Sequence, residues 1–331
     1  MKRAELGWRS PLAEGIEAFL EHKRALGRRF ANEEKILRLL DRYLVEQQVH
    51  TIDQVTPTVL DAFFASRRRA SARSHNQLLG GVRRLLDWLV IQDRLAVSPL
   101  RAQPRRAADC PRPFLFDKSQ VKSLLDAASQ LAASHRAPRR GETYAMIFSL
   151  LYALGLRVGE ATRLCREEVD LDRQLLFIRQ TKFGKSRLVP FGPRLGERLS
   201  HYIHTRASYV RPIEAGHALF CFAKDPYQPI SPTTVSWTFH KLVLELGFTA
   251  PCGVATPHLH CLRHSFAVST LLRWYRAGID PSERLLYLST FLGHVSPAST
   301  AVYLTITDEL LELAGERFRR FAAPALREVR R

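Results

Sequence analysis

Apolar positions recur at helical spacing through most of the chain. Leu12, Ile16, Phe19 and Leu20 follow Pro11, and Ile36, Leu37, Leu39, Leu40 and Leu44 form a second stripe. Val59 to Phe64 opens a third, and Leu78, Val82, Leu85, Leu86 and Leu89 mark a fourth. The spacing predicts a helical domain over residues 11–97 behind a short tail, 1–10. The polar faces carry arginines: Arg28 and Arg29, then Arg67, Arg68, Arg69 and Arg73, then Arg83 and Arg84. Periodicity stops at residues 98–116, where four prolines and four arginines read as a linker. Asp117 with Gln120 gives a capping-box start to a second domain, 117–331. There LLFIRQT (175–181) reads as a strand, FGK as a tight turn and SRLVPF as the returning strand. Helices are predicted at 140–154, 193–209, 231–246, 258–275 and 283–292. A last amphipathic helix, 307–322, starts at a Thr307 cap and carries Leu310, Leu311, Ala314, Phe318 and Phe321 on one stripe. The fold class is mainly α: a helical domain, then a mixed α/β domain that is mostly helical with a small hairpin sheet.

Charge narrows the partner. The 331 residues carry a formal net charge of +18. Residues 1–110 hold 20 Lys/Arg against 13 Asp/Glu, and the rest hold 30 against 19. Both parts are basic, which suits a protein that grips a polyanion from two sides. Five cysteines (Cys110, Cys165, Cys221, Cys252 and Cys261) form no paired framework and read as reduced thiols in the cytoplasm. No apolar run reaches membrane-spanning length, no signal-peptide h-region follows the start, and no nucleotide-binding glycine loop is visible.

Six separated residues carry candidate chemistry. Arg157 lies in LYALGLRVGEATRL, where Glu160 shares its face three residues on. An arginine there forks two hydrogen bonds to phosphate oxygens, and Glu160 holds it or a neighbour in place. Lys182, in TKFGKSRLVPF, stands where a strand gives way to the turn, placed to protonate a leaving oxygen, with Lys185 as its rival. Thr256-Pro257 reads as a helix N-cap and first-turn proline. His258, His260, Arg263 and His264 then fall in the first two turns, with His260, Arg263 and His264 on one face. The helix N-terminus adds positive potential there. A zinc set of Cys252, His258, His260, Cys261 and His264 is the competing reading, but its spacing matches no usual pair pattern. His294 and Tyr303 lie in LGHVSPASTAVYL. A phenol attacks a phosphodiester only if a base takes its proton or cations stabilise the phenolate, and His260 is the expected acceptor. Each piece alone has a bland reading: a surface ion pair, a solvated hairpin lysine, a packed histidine, a core tyrosine.

Together, their order, their local wording and the nine-residue step from His294 to Tyr303 resemble the tyrosine recombinases of the phage-integrase family, over roughly residues 117–310. The first part resembles that family's helical, SAM-like core-binding domain. The resemblance implies a C-shaped clamp on double-stranded DNA carrying specific recombination sites. Arg157 and Arg263 then bind the scissile phosphate, Lys182 protonates the leaving 5′-hydroxyl, His260 assists the nucleophile, His294 hydrogen-bonds the phosphate and Tyr303 forms a 3′-phosphotyrosyl link. Glu160 and His264 support them, and Arg67, Arg68, Arg69, Arg73, Arg83 and Arg84 contact DNA. The resemblance further implies no metal, no ATP and no other cofactor. It implies a homotetramer on two sites, joined through the C-terminal helix and passing through a Holliday junction, and it admits a second recombinase as partner. Without an evident further arm-binding module, an Xer-like enzyme borne on a transposon or plasmid in the bacterial cytoplasm, at the nucleoid, is expected. A type IB topoisomerase-like enzyme and a non-catalytic DNA-binding relative are the alternatives. The motif wording weighs against the first, and six filled positions weigh against the second.

Overall fold

The computed structural model describes residues 7–28, 30–106, 111–135, 137–179, 186–207, 216–222 and 228–328, with side chains to 319 in the last segment. The chain forms two compact units, residues 1–110 and 111–331.

Among the described residues the first unit holds four α-helices, α1 (Ala13–Ala25), α2 (Ala31–Glu46), α3 (Pro57–Ser66) and α4 (Ala72–Ile91), and a 3-10 turn at Ile52–Gln54. Two begin on side-chain caps: Thr56 accepts from Val59 N ahead of Pro57, and Ser71 accepts from Ser74 N. Ile16, Phe19, Leu37, Leu40, Leu60, Phe63, Val82 and Leu85 are buried in one core, so each apolar stripe finds the others.

The stretch 98–116 packs at both ends. Leu100 and Ala102 lie against the first core, and Arg83 donates to the Ala102 carbonyl at 3.1 Å. Phe114 and Phe116 are buried in the core of the second unit. Proline removes backbone donors but leaves apolar neighbours free to pack, so a proline-rich strand of chain contributes to a core without periodicity.

The second unit is built around α6 (Arg140–Ala153), buried without a break from Thr143 to Leu151, as an all-round apolar helix must be. Before it lies α5 (Lys118–Ser129), opened by the Asp117–Gln120 capping box. After it come α7 (Val158–Thr162) and a three-stranded antiparallel sheet of β1 (Val169–Asp170), β2 (Leu175–Ile178) and β3 (Arg187–Pro190), in that order. Leu176 pairs with Val189 and Ile178 with Arg187. The two-residue β1 is too short to leave an alternating signal. The turn between β2 and β3, with Lys182 and Lys185, lies outside the described residues.

The chain continues through α8 (Pro193–Ala207), α9 (Pro232–Glu245), α10 (Cys261–Arg276), α11 (Pro281–Leu292), α12 (Ala298–Ala301) and α13 (Asp308–Glu328). Helix α10 starts later than Thr256-Pro257 suggests. The His258 ring bonds the Thr256 carbonyl at 3.1 Å and the His258 carbonyl accepts from Cys261 N at 2.8 Å, a turn that delays the helix until His260 forms its N-cap. Ala267, Val268, Leu271, Leu288, Leu292, Tyr303 and Leu310 make a second, smaller core. Among the described residues no helix is long and apolar enough to cross a membrane.

Candidate active site

The last carbonyls of a helix have no partner within it and sit at the negative end of its dipole. At the end of α11 each of three successive carbonyls is taken by a different arginine. Arg187 Nε donates to Phe291 O at 2.8 Å, Arg263 Nη2 to Leu292 O at 2.6 Å and Arg157 Nη2 to Gly293 O at 3.0 Å. Gly293 ends the helix at φ +68°, and a Cβ there would lie 2.7 Å from Arg187 Nη1. Arg263 Nη1 also bonds the carbonyl of Gly155. That residue turns α6 into α7 at φ +58°, and a Cβ there would stand 2.6 Å from Phe266 and 2.8 Å from Leu292. Both glycines are therefore required twice, by left-handed backbone and by lack of room.

Arg157 is the N-cap of α7, and its backbone N–H donates to Glu160 Oε2 at 3.0 Å. The Glu160 carboxylate also accepts Arg157 Nη1 at 2.8 Å and, in a fork, Arg187 Nη1 at 3.1 Å and Nη2 at 2.8 Å. Burial alone raises this carboxyl, but the hydrogen bonds and charge of Arg187, then those of Arg157, prevail and bring it to about 2. Side-chain exposure falls from 27% for Arg157 to 8% for Arg187. Arg263 is 1% exposed, and its Nε has no partner among the described residues. Burial, then the nearby Arg157 charge, lowers its guanidinium to about 10.

Tyr303 sits on a 3-10 turn, Val302–Thr305, and is buried. Its hydroxyl lies 3.0 Å from His264 Nδ1. His294 lies nearly parallel to its ring, 6.3 Å away between centroids, and His294 Nδ1 meets Thr300 Oγ1 at 2.7 Å. Burial raises the phenol, opposed by Arg263 and then Arg157. His264 is lowered to about 4 by burial, then His258 and Arg263, and His294 to about 4 by burial, then Arg263 and Arg157. His260 is lowered too, by desolvation first and then by His264 and Arg263, although the residue keeps exposed surface. These imidazoles are neutral near pH 7, so each keeps a ring nitrogen able to accept a hydrogen bond. His260, the expected acceptor, packs edge-on against His264 at 4.7 Å, so it stands one ring from the phenol that His264 touches.

The structure thus gathers Arg157, Glu160, Arg263, His264, His294 and Tyr303, with His260 beside them. The zinc reading finds no support: among the described residues no three His, Cys, Asp or Glu side chains group as a metal site.

The model of the phage integrase family matches residues 115–309. The chain is 34% identical over 320 residues to y4rB of Sinorhizobium fredii, covering 94% of this chain and 98% of that one. It is 32% identical over 260 residues to the tyrosine recombinase XerC of Brucella suis, covering 77% and 75%. The chain is a tyrosine recombinase of the phage-integrase family. In fold the recombinase is similar to the Tn1549 transposon integrase in complex with a circular intermediate DNA, with TM-score 0.64, 18% identity and coverage of 94% and 100%. A lambda integrase dimer bound to a core site gives TM-score 0.59 at 17% identity, covering 87% and 76%. Neither the topoisomerase-like nor the non-catalytic alternative is favoured by these relatives.

In the recombinase's first unit, Arg68, Arg73 and Arg84 are exposed, with Arg84 paired to Glu33 at 3.1 Å. Arg67 and Arg69 are half-buried, each with an Nε that has no partner among the described residues. Arg83 is committed to Ala102. Sequence reasoning missed Arg187. The signal was there: alternation along β3 puts it on the same side as buried Val189, and an arginine in the inward register of a strand requires a partner.

Proposed function

We propose that this recombinase cuts and rejoins double-stranded DNA through Tyr303. Family membership carries the reaction class, site-specific strand exchange on DNA. One observation carries the assignment to Tyr303: its buried hydroxyl bonds a neutral imidazole while Arg263 and Arg157 oppose the rise in its pKa.

In the proposed step Tyr303 Oη attacks phosphorus and the bond to O5′ breaks, leaving a 3′-phosphotyrosyl ester and a 5′-hydroxyl. The phenolic proton leaves to the histidine pair, with His264 at the hydroxyl and His260 behind it. Lys182 gives its proton to the departing oxygen. Arg157 and Arg263 neutralise the non-bridging oxygens. His294 donates to the phosphate through the ring nitrogen that Thr300 does not use. A partner strand's 5′-hydroxyl then attacks the ester and restores Tyr303. Each step exchanges one phosphate ester for another, so no ATP is consumed, and cationic side chains stand where a metal would otherwise act.

A nicked suicide substrate should trap a protein–DNA complex that survives denaturation, undiminished in EDTA, and Tyr303→Phe should abolish it while DNA binding persists. Undiminished trapping by that variant would assign the nucleophile elsewhere.

Four protomers on two sites are supported by α13. Leu310 is buried in its own unit, but Leu311 is 46% and Phe318 69% exposed, an apolar face that this chain leaves open. Docked on a neighbouring protomer, it would couple Tyr303 to assembly. Leu311→Ser with Phe318→Ser should leave single-site binding intact and remove two-site complexes on native gels; normal two-site complexes would overturn this docking. The same reading makes the first unit a DNA-backbone module, with Arg67, Arg68, Arg69 and Arg73 as its contacts.

A further inference from the structure

We infer that Arg187 is a positioning residue for the phosphate site, keeping Arg157 turned outward by sharing the carboxylate that would otherwise capture it. The inference rests on reading the site as that of a strand-transferring recombinase.

Arg187 is not placed to hold the phosphate itself. It is 8% exposed, its fork is spent on Glu160 and its Nε on the end of α11. Its effect passes through its partners. Glu160 Oε1 receives both Arg187 Nη1 and Arg157 Nη1. With Arg187 present, Arg157 engages the carboxylate through one nitrogen and Gly293 O through the other, and its remaining N–H groups stay open on its 27% exposed side chain. Without Arg187, a buried carboxylate would have one cation left. Arg157 would then turn to meet both oxygens, lose its bond to Gly293, and bring less charge to the substrate.

The second path runs through the Phe291 carbonyl. Arg187 holds it three residues before His294, in the turn whose next two carbonyls anchor Arg263 and Arg157. Arg187 lies on β3, five residues beyond Lys182. One guanidinium thus ties the hairpin to both the Arg157 cap and the His294 turn. Lysine cannot reproduce this, because a point charge does not span two carboxylate oxygens and a carbonyl in one plane.

The test compares wild type, Arg187→Met and Arg187→Lys in single-turnover cleavage of a nicked suicide substrate at saturating protein. It uses an ordinary scissile phosphodiester and one in which a methylphosphonate replaces it, removing the negative charge that Arg157 serves. DNA affinity should stay within about threefold, while the saturated rate of Arg187→Met on the phosphodiester falls by about 30-fold, with partial recovery in Arg187→Lys. On the neutral substrate the gap between wild type and variant should shrink several-fold. A defect equally large on both substrates would make Arg187 a structural brace, and wild-type rates in Arg187→Met would remove it from the mechanism; either overturns the inference. Should circular dichroism find Arg187→Met unfolded, Arg187→Lys decides by the same two-substrate ratio. If wild type traps no covalent complex on the phosphodiester, the functional reading itself fails, an outcome distinct from both.

Discussion

In the first unit Arg68, Arg73 and Arg84 stand in solvent, and Arg84 meets a carboxylate that is itself partly exposed. In the second, Arg263 is 1% exposed and its partners are the carbonyls of Gly155 and Leu292. The exposed arginines keep rotamer freedom and adapt to a flexible backbone ligand, at a strength that salt screens. Arg263 has given up that freedom on folding, so its geometry is fixed before substrate arrives. On the proposed function the same residue type serves affinity in one unit and the reaction in the other, and burial distinguishes the two.

The largest effect should come from the buried arginine. Arg263→Ala should lower single-turnover cleavage at least about 100-fold with little change in DNA affinity. Arg263→Lys, which keeps charge without the fork, serves as control for folding. If affinity falls in step with rate, Arg263 is a binding group like those of the first unit.

Gly293→Ala tests whether the fixed geometry depends on the turn. It forces a side chain to φ +68° against Arg187. It should cost about 1–2 kcal/mol in chemical denaturation and about tenfold in cleavage, through displacement of the arginines that the turn anchors. A variant as active and stable as wild type would show that the arginines do not need this turn.

Acid should act most strongly on the second unit, although buried His75 gives the first unit a shift of the same sign. His264 and His294 fall to about 4 in the folded state, so between that value and their unfolded value near 6.5 the unfolded chain binds more protons. Stability should accordingly drop as pH falls through 6.5 towards 4, by on the order of 1 kcal/mol per histidine after screening. Glu160, at about 2, holds its own contribution until still lower pH. Thermal unfolding of His264→Gln and His294→Gln should be flatter over that window, and an unchanged slope would remove these histidines as its cause.

The smallest effects belong to the first unit. Arg68→Ala and Arg73→Ala should weaken DNA binding a few-fold and reduce the salt slope by about one each, leaving the saturated cleavage rate unchanged. Arg83 is a poor probe, since its guanidinium braces Ala102.

What the sequence disclosed followed the same division. Stripes such as Leu78, Val82, Leu85 and Leu89 repeat at one interval, and they located the helices of the first unit because each residue says the same thing as its neighbour. The site was legible where residue type is unusual for its setting: Arg157 after Gly155, His294 after Gly293, and Tyr303 nine residues on. Its wiring was not. The anchors are backbone carbonyls, which every residue has, so no letter marks Phe291 or Leu292 as the partner of an arginine. The start of α10 was misjudged because Thr256-Pro257 carries the composition of a cap while the His258 turn decides the geometry. The contact between His264 and Tyr303 spans 39 residues and depends on the 3-10 turn that follows α12.

Those carbonyl anchors have an electrostatic consequence. A peptide oxygen holds a guanidinium without cancelling its charge. With the histidines neutral, Arg157, Arg187 and Arg263 face a single carboxylate, Glu160, so these residues leave a surplus of two positive charges. A phosphodiester brings one negative charge, and its five-coordinate transition state bears two. On the proposed mechanism that surplus favours the more highly charged transition state over the bound phosphodiester, and the charge alignment that solvent would otherwise have to reorganise during reaction is completed when the chain folds.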